Sequence, residues 1–568
     1  MSYRSGMTSM PAATSPIDVL ADELLALILS AEPLDATLMG FRQHDGGLAD
    51  LSQATEAARA ADRSALRARI NAVATDGLTG QESITRAVLL AQLSYSDDAM
   101  TADALAYTAA AFPVSPSSIL LAYLRMVVAT DGQQARDYLA RLSQVPRFLA
   151  QAQERLQEGR THGLTPVKHL VEMAIDQVDR FLAATPSPLI IEAPAEWDGA
   201  ATWRESLAAI LTNEVDPAFA AHRAYLRDDV LPTARSNDDV GLVHLPDGLE
   251  RYHALVRLHT TTDRTPDELH ALGIEQVARI HIEFRELGQQ LFGLSDVTEI
   301  FAHLQSDPSL RWHSSAAILA AAELTVRRAE AASPAWFGRL PVAVCALDAI
   351  PELEAAGAPP AYYMPPALDG SRPGTYYTNV NEPRERTSFD LESVAFHEAV
   401  PGHHFQISIA LELPDLPMLR RLPLFTAYIE GWGLYSERLA DEMGLYSSDL
   451  QRMGMLSADV WRASRLVVDT GMHAFGWTRQ QAVDYLLANT PVAPIDVESE
   501  IDRYIAMPGQ ALSYMTGRIE IETLRARAEA ALGDAFDIRD FHDVLLASGA
   551  LPLAVLGDLV DAWIASRT

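Results

Sequence analysis

The sequence of 568 residues predicts a mostly α-helical protein: one large helical body with a deep central cleft and a small β insert at about 340–383. Two observations carry that expectation. Apolar residues recur at three- and four-residue spacing, among Ala, Leu, Arg and Glu, over most of the chain to about residue 235 and again from Thr387 to the end. Between those regions Leu340–Leu347, Ala361–Met364 and Gly374–Val380 are short, β-branched or aromatic, and bounded by Pro and Gly, which reads as a small sheet.

Taken in order, residues 1–15 read as a flexible tail, and helices are expected at 17–31, 50–74, 81–96, 117–129, 132–158, 165–185 and 201–233. Thr265-Pro266-Asp267-Glu268 opens another, with Thr265 as N-cap, Pro266 at the first position and two acids on the positive end of the dipole, and it should run to about residue 291. No period of 20 to 50 residues marks a solenoid. The apolar stretch Val19–Leu29 is interrupted by Asp22 and Glu23 and preceded only by Arg4, so it reads as an amphipathic helix, not a signal peptide. The uncharged run Ala104–Leu124 contains Pro113, Pro116 and three serines, which suits two soluble helices better than a membrane span. No membrane partner is expected, and the cytoplasm is the default location.

Composition excludes several chemistries. Of 44 basic residues only Lys168 is lysine, so P-loop, kinase and Schiff-base chemistry lack their amine. The single Cys345 cannot build a disulfide, a Cys-rich zinc module or an iron–sulfur site. Any metal must be held by His, Asp or Glu. A formal charge of −32 argues against nucleic acid as a partner, and at most predicts a preference against acidic peptides.

Three histidines fall together in His397-Glu398-Ala399-Val400-Pro401-Gly402-His403-His404. The segment begins as a helix that Thr387 or Ser388 can cap, with Leu391, Val394 and Ala395 as its buried stripe. A His-Glu pair with a second His one turn later is a known way to hold zinc with the Glu as general base. Here Pro401 occupies the one-turn position, and a straight helix would set the Cα atoms of 397 and 403 about 9 Å apart. Pro401 cannot donate to the carbonyl of residue 397 and Gly402 tolerates unusual dihedrals, so a break is expected that brings His403 or His404 back to His397. Farther on, Glu430 and Glu437 lie seven residues apart on one helix face. Glu430 is taken as the third ligand and Glu437 as an acid behind the ligands or a structural one.

His-Glu-Ala-Val-Pro-Gly-His-His-Phe-Gln, with Tyr-Ile-Glu430-Gly-Trp-Gly-Leu-Tyr-Ser-Glu437 and Pro508-Gly-Gln-Ala-Leu-Ser-Tyr514-Met-Thr-Gly517, resembles the bacterial domain of unknown function 885 over roughly 371–530, and more loosely upstream. That family is regarded as zinc-dependent and is similar in architecture to helical gluzincin peptidases. The resemblance implies His397, one of the following pair, and Glu430 as ligands to one zinc ion, with Glu398 as base. His403 needs the smaller distortion and keeps the Gly-His step of the related peptidases; His404 is the alternative.

The expected function is hydrolysis of peptide bonds in short peptides by a metal-activated water, as a carboxypeptidase or an oligopeptidase. Tyr514 and His473 are the candidate oxyanion donors. Tyr376 and Tyr377, in Gly374–Asn379, are expected on an edge strand where a peptide can add. A C-terminal exopeptidase needs an arginine for the free carboxylate, and Arg503 and Arg518 are the candidates. Competing readings are a metal-dependent amidase on a non-peptide amide and a non-enzymatic helical binding protein. The expected organisation is the tail, an N-terminal helical part at 16–240 and a metal-binding catalytic part at 241–568, packed as one continuous two-lobed unit, as monomer or homodimer.

Overall fold

The computed structural model describes residues 15–351 and 359–568. Of the expected tail only Ser15 falls within them, as the cap of Pro16–Ala31, its hydroxyl accepting from the Ile17 N–H. The chain is mostly helix with one three-stranded sheet, and caps explain where helices start. Gly80–Ala102 and Pro266–Phe292 each begin with a reciprocal capping box, Thr79 with Glu82 and Thr265 with Glu268. The expected helix 132–158 is two, Gly132–Leu142 and Val145–Thr161, the second opening with Pro146 in its first turn. Among the described residues no helix is long and apolar enough to cross a membrane.

Apolar burial joins distant parts of the chain. One cluster runs from Ile17, Leu24 and Leu89 through Phe396, Phe405 and Trp432 to Leu545 and Leu556, so N-terminal helices share a core with the His-Glu segment. A second joins Tyr252, Leu269 and Phe284 to Leu434, Leu456 and Leu512. Two pairs of long helices organise these cores: Pro266–Phe292 packs antiparallel along Asp449–His473, and Thr426–Glu442 runs parallel along Ser513–Leu532. The second pair meets at glycines. A Cβ on Gly517 would stand 1.9 Å from the Ala427 carbonyl oxygen and 2.7 Å from the Gly431 Cα, so the backbones touch and no side chain fits between.

The sheet consists of β1 (Ala346–Ala349), β2 (Ala361–Met364) and β3 (Thr375–Thr378) in the order β1–β3–β2. β3 pairs parallel with β1 and antiparallel with β2, setting Tyr376 opposite Leu347 and Tyr363, and Tyr377 opposite Asp348 and Tyr362. This corrects the edge-strand expectation: β3 is the central strand, both its ladders are filled, and no peptide can add to it. Tyr376 is buried, 1% exposed, and Tyr377 stacks on Tyr362 with centroids 5.1 Å apart. The first strand also starts later than the apolar run. The amides of Val342 and Ala343 donate to the Glu412 carboxylate at 2.9–3.0 Å and are diverted from the ladder.

The glycine crossing gives a direct test. Gly517→Ala should lower the urea midpoint by the equivalent of about 1–3 kcal/mol, because only backbone can move. Gly80→Ala, at an exposed helix start with nothing within 4 Å, should be neutral or stabilising by up to about 1 kcal/mol.

Candidate metal centre

The His-Glu segment is two short helices, Leu391–Glu398 and His403–Leu411, separated at residues 399–402, with the Val400–Pro401 peptide cis. Asp390 is the boundary residue of the first, hydrogen-bonded to Thr387, in place of the expected Thr387 or Ser388 cap. Gly402 presses on the end of that helix: a Cβ there would stand 1.8 Å from the His397 carbonyl oxygen. The break returns His403 to His397, their rings edge-on with centroids 4.7 Å apart. Thr426–Glu442 lies across it, where the Trp432 indole N–H donates to the Pro401 carbonyl at 2.8 Å. Gly433 in that helix leaves room for the imidazole of His397, since a Cβ would meet the ring at 2.7–2.8 Å.

Glu430 projects from the same helix toward both histidines. Its Oε2 lies 3.5 Å from His397 Nε2 and 3.4 Å from His403 Nε2. His397, His403 and Glu430 are the cluster of metal-binding side chains among the described residues, with ligand atoms all within 4.8 Å of one another. The two distances suit a cation better than a hydrogen bond. Ligands about 2.0–2.1 Å from a tetrahedral ion stand about 3.4 Å from each other, whereas N–H···O bonds are about 2.7–3.2 Å.

Protonation supports the same fit. His397 Nδ1 faces Glu437 Oε1 at 2.8 Å, and an ionised carboxylate only accepts, so Nδ1 carries a proton and Nε2 is the nitrogen that faces Glu430. Glu437 is 1% exposed and also accepts from the Ser393 hydroxyl. Burial disfavours the charged imidazole, yet Glu430 and Glu437 outweigh it and push His397 up to about 9. Burial alone would raise the Glu430 carboxyl, but the two histidines hold it far below the usual carboxylate range. The opposing shifts of His397 and Glu430 both come from the close approach of these groups, a crowding of donor atoms that a divalent ion would relieve.

Glu398 stands beside this cluster. With Val394 it is the partly exposed part of an otherwise buried short helix, and its carboxylate accepts no hydrogen bond among the described residues. Tyr514, from Ser513–Leu532, stacks over His397 with centroids 6.2 Å apart. Burial, then the charge of Glu430, raises its phenol, while Arg465 and Arg503 oppose the rise.

Residues 33–560 match the family described as "Bacterial protein of unknown function (DUF885)". The chain belongs to this family. The crystal structure of "the putative lipoprotein from Colwellia psychrerythraea" is similar to it, 28% identical with a TM-score of 0.90, over 97% of this chain and 99% of that one. "A putative lipoprotein of unknown function from Shewanella oneidensis" shares the fold at 19% identity and a TM-score of 0.73, over 96% of this chain and 100% of that one. No curated protein matches.

The DUF885 fold assigns other work to several residues that the sequence offered for the site. His404 Nε2 bonds the Ala343 carbonyl and its Nδ1 the Tyr363 hydroxyl, both at 3.0 Å, so it ties the β insert to the ligand helix and is not part of the metal cluster. His473 corrects the donor expectation. It is fully buried, its Nδ1 accepts from the Leu242 N–H at 3.3 Å and its Nε2 donates to the Tyr504 carbonyl at 3.1 Å, leaving neither nitrogen for an oxyanion. Arg518 is likewise withdrawn: 0% exposed, it pairs with Asp459 in the core. Arg503 reaches Glu500 and Gln510 on the Tyr514 side of the site. Sequence reasoning missed Ser393, Gly433 and Arg465, whose guanidinium lies 4.5 Å from the Tyr514 ring centroid. Only the glycines of Glu430-Gly-Trp-Gly carried a signal, since glycine inside a helix marks close approach.

Two outcomes follow for DUF885 side chains. For zinc added to the His397, His403 and Glu430 cluster, Glu437→Gln should show about 10- to 100-fold weaker retention than wild type in chelator competition, without unfolding the protein. Burial holds His473 down to about 3, below the ordinary 6.5, so the unfolded chain takes up the proton first and stability is lost as pH falls below about 6.5. Between pH 7.5 and 5.0, wild type should therefore lose about 2 kcal/mol relative to His473→Asn, read from urea midpoints.

Proposed function

We propose that this DUF885 protein hydrolyses peptide bonds in short peptides, with one zinc ion held by His397, His403 and Glu430. The observation that carries the reading is the spacing of those ligand atoms next to a carboxylate, Glu398, that accepts no hydrogen bond among the described residues. A structural zinc needs no such acid, and His2Glu ligation suits zinc better than magnesium or calcium.

When bound, zinc supplies Lewis-acid polarisation of the substrate carbonyl and lowers the pKa of water. Glu398 then takes the proton of the attacking water on its carboxylate and delivers it to the leaving nitrogen, a role that needs the exposure and freedom from ion pairs described above. Tyr514 donates its hydroxyl to the developing oxyanion. Glu437 keeps His397 in the Nδ1–H tautomer, so that Nε2 is available as a ligand throughout. The cytoplasm stays the expected location; lipoprotein is the description of the relatives, and cell fractionation distinguishes the two compartments.

Metal analysis and hydrolysis of a mixed peptide library by wild type and Glu398→Gln test the reading together. The variant should keep its zinc and lose about 10²- to 10⁴-fold in kcat. Full activity in Glu398→Gln, or wild type without metal, would sink the mechanism, and zinc without any peptide cleavage would move the protein to non-peptide amides.

A further inference from the structure

On the other side of Tyr514 from the ligand cluster lies a group of charges that the hydrolytic step does not use. Arg465, 4% exposed, is held by Tyr514 and Trp461, with its guanidinium carbon 4.5 and 4.8 Å from the two ring centroids. Its Nε donates to the Tyr504 hydroxyl at 2.7 Å and its Nη2 to Glu500 Oε2 at 3.0 Å, while Nη1 is buried without a hydrogen-bond partner. Arg503 donates to both oxygens of Glu500 at 3.0 and 2.8 Å and to Gln510 Oε1 at 2.8 Å. The Tyr504 hydroxyl donates to Glu500 as well, at 2.6 Å.

One carboxylate therefore serves two guanidiniums, and among the described residues neither arginine forms an ion pair with any other acid. The excess positive charge is largely removed from water, where it is costly until an anion arrives. Tyr514 bridges the distance: it touches Arg465 on one side and stacks on His397 on the other. Trp461, Glu500, Arg503, Gln510 and Tyr514 are each partly exposed, so solutes can reach the group. An anion here lies within the reach of a peptide whose scissile carbonyl sits at the ligand cluster.

We infer that Arg465 and Arg503 bind the free α-carboxylate of the substrate, which makes the enzyme a C-terminal exopeptidase; this rests on the peptidase reading above. Of the two arginines offered by the sequence only Arg503 belongs to the subsite, and its companion is Arg465. Charge-assisted, paired donors fixed by aromatic faces are suited to a planar carboxylate.

The test uses zinc-loaded Glu398→Gln protein and two peptides of one sequence, ending in a free acid or an amide, with affinities from calorimetry. The acid should bind about 10- to 100-fold tighter. Adding Arg503→Gln, which leaves Arg465 balanced by Glu500, should bring that ratio below about 3, and adding Arg465→Met should do the same; Glu500→Gln should keep the preference or raise it. If the arginines only brace Tyr514, the substitutions weaken acid and amide alike and the ratio stands, which overturns the inference. A ratio near one in the starting protein also overturns it, while continued cleavage of both peptides by wild type would leave the peptidase reading intact. Failure of wild type to cleave either peptide overturns that reading and the inference with it.

Discussion

The site depends on one backbone contact, the approach of Gly402 to the carbonyl of His397. An uninterrupted helix would carry His403 far along the axis, out of reach of any ion bound at His397. By breaking at 399–402 and resuming at His403, the chain turns a six-residue separation into ring contact. Everything else in the site is arranged around that turn. The Trp432 indole and the Ser436 hydroxyl hold the Pro401 carbonyl, and the helix that carries them also delivers Glu430, makes space at Gly433 and carries Glu437 behind His397. Its contact with Ser513–Leu532 at Gly431 and Gly517 then brings Tyr514 over the ring.

The near absence of lysine has a structural counterpart in how buried charge is used. Arg141 donates to the carbonyls of Gly47 and His44, Arg420 to the Thr85 hydroxyl and the Ser548 carbonyl, and Arg438 to both Glu283 and Asp459. Each links segments far apart in sequence by spreading donors over several acceptors. A lysine offers one compact charge and deprotonates more readily when buried, so it cannot replace a planar fork in these positions. The acidic surface and the arginine-braced interior are thus separate facts, and only the second concerns the site.

What was legible in the sequence was local. Caps such as Thr265 with Glu268, the helical texture around the motif, and the Pro-Gly break are short-range physics that tertiary structure did not override. What was not legible depends on neighbours distant along the chain. Gly374–Val380 has the composition of a strand whether it is central or at an edge, and only pairing with β1 and β2 decides between them. His473 and Arg518 looked available because their partners, the backbone of Leu242 and Tyr504 and the side chain of Asp459, lie far away in sequence. Arg465 was one arginine among many until Tyr514 and Glu500 were set beside it.

For the zinc site proposed above, the two adjacent imidazoles at 403 and 404 raise the matter of loading errors. Neighbouring histidines on a new chain offer an incoming ion two competing addresses, and capture by the wrong one would register the helix one residue out of phase. Here the competitor is silenced on both nitrogens, by a carbonyl of the segment leading into β1 and by a phenol from β2. On that reading the sheet, closed over His404, leaves a single imidazole of the pair with a ring nitrogen facing Glu430.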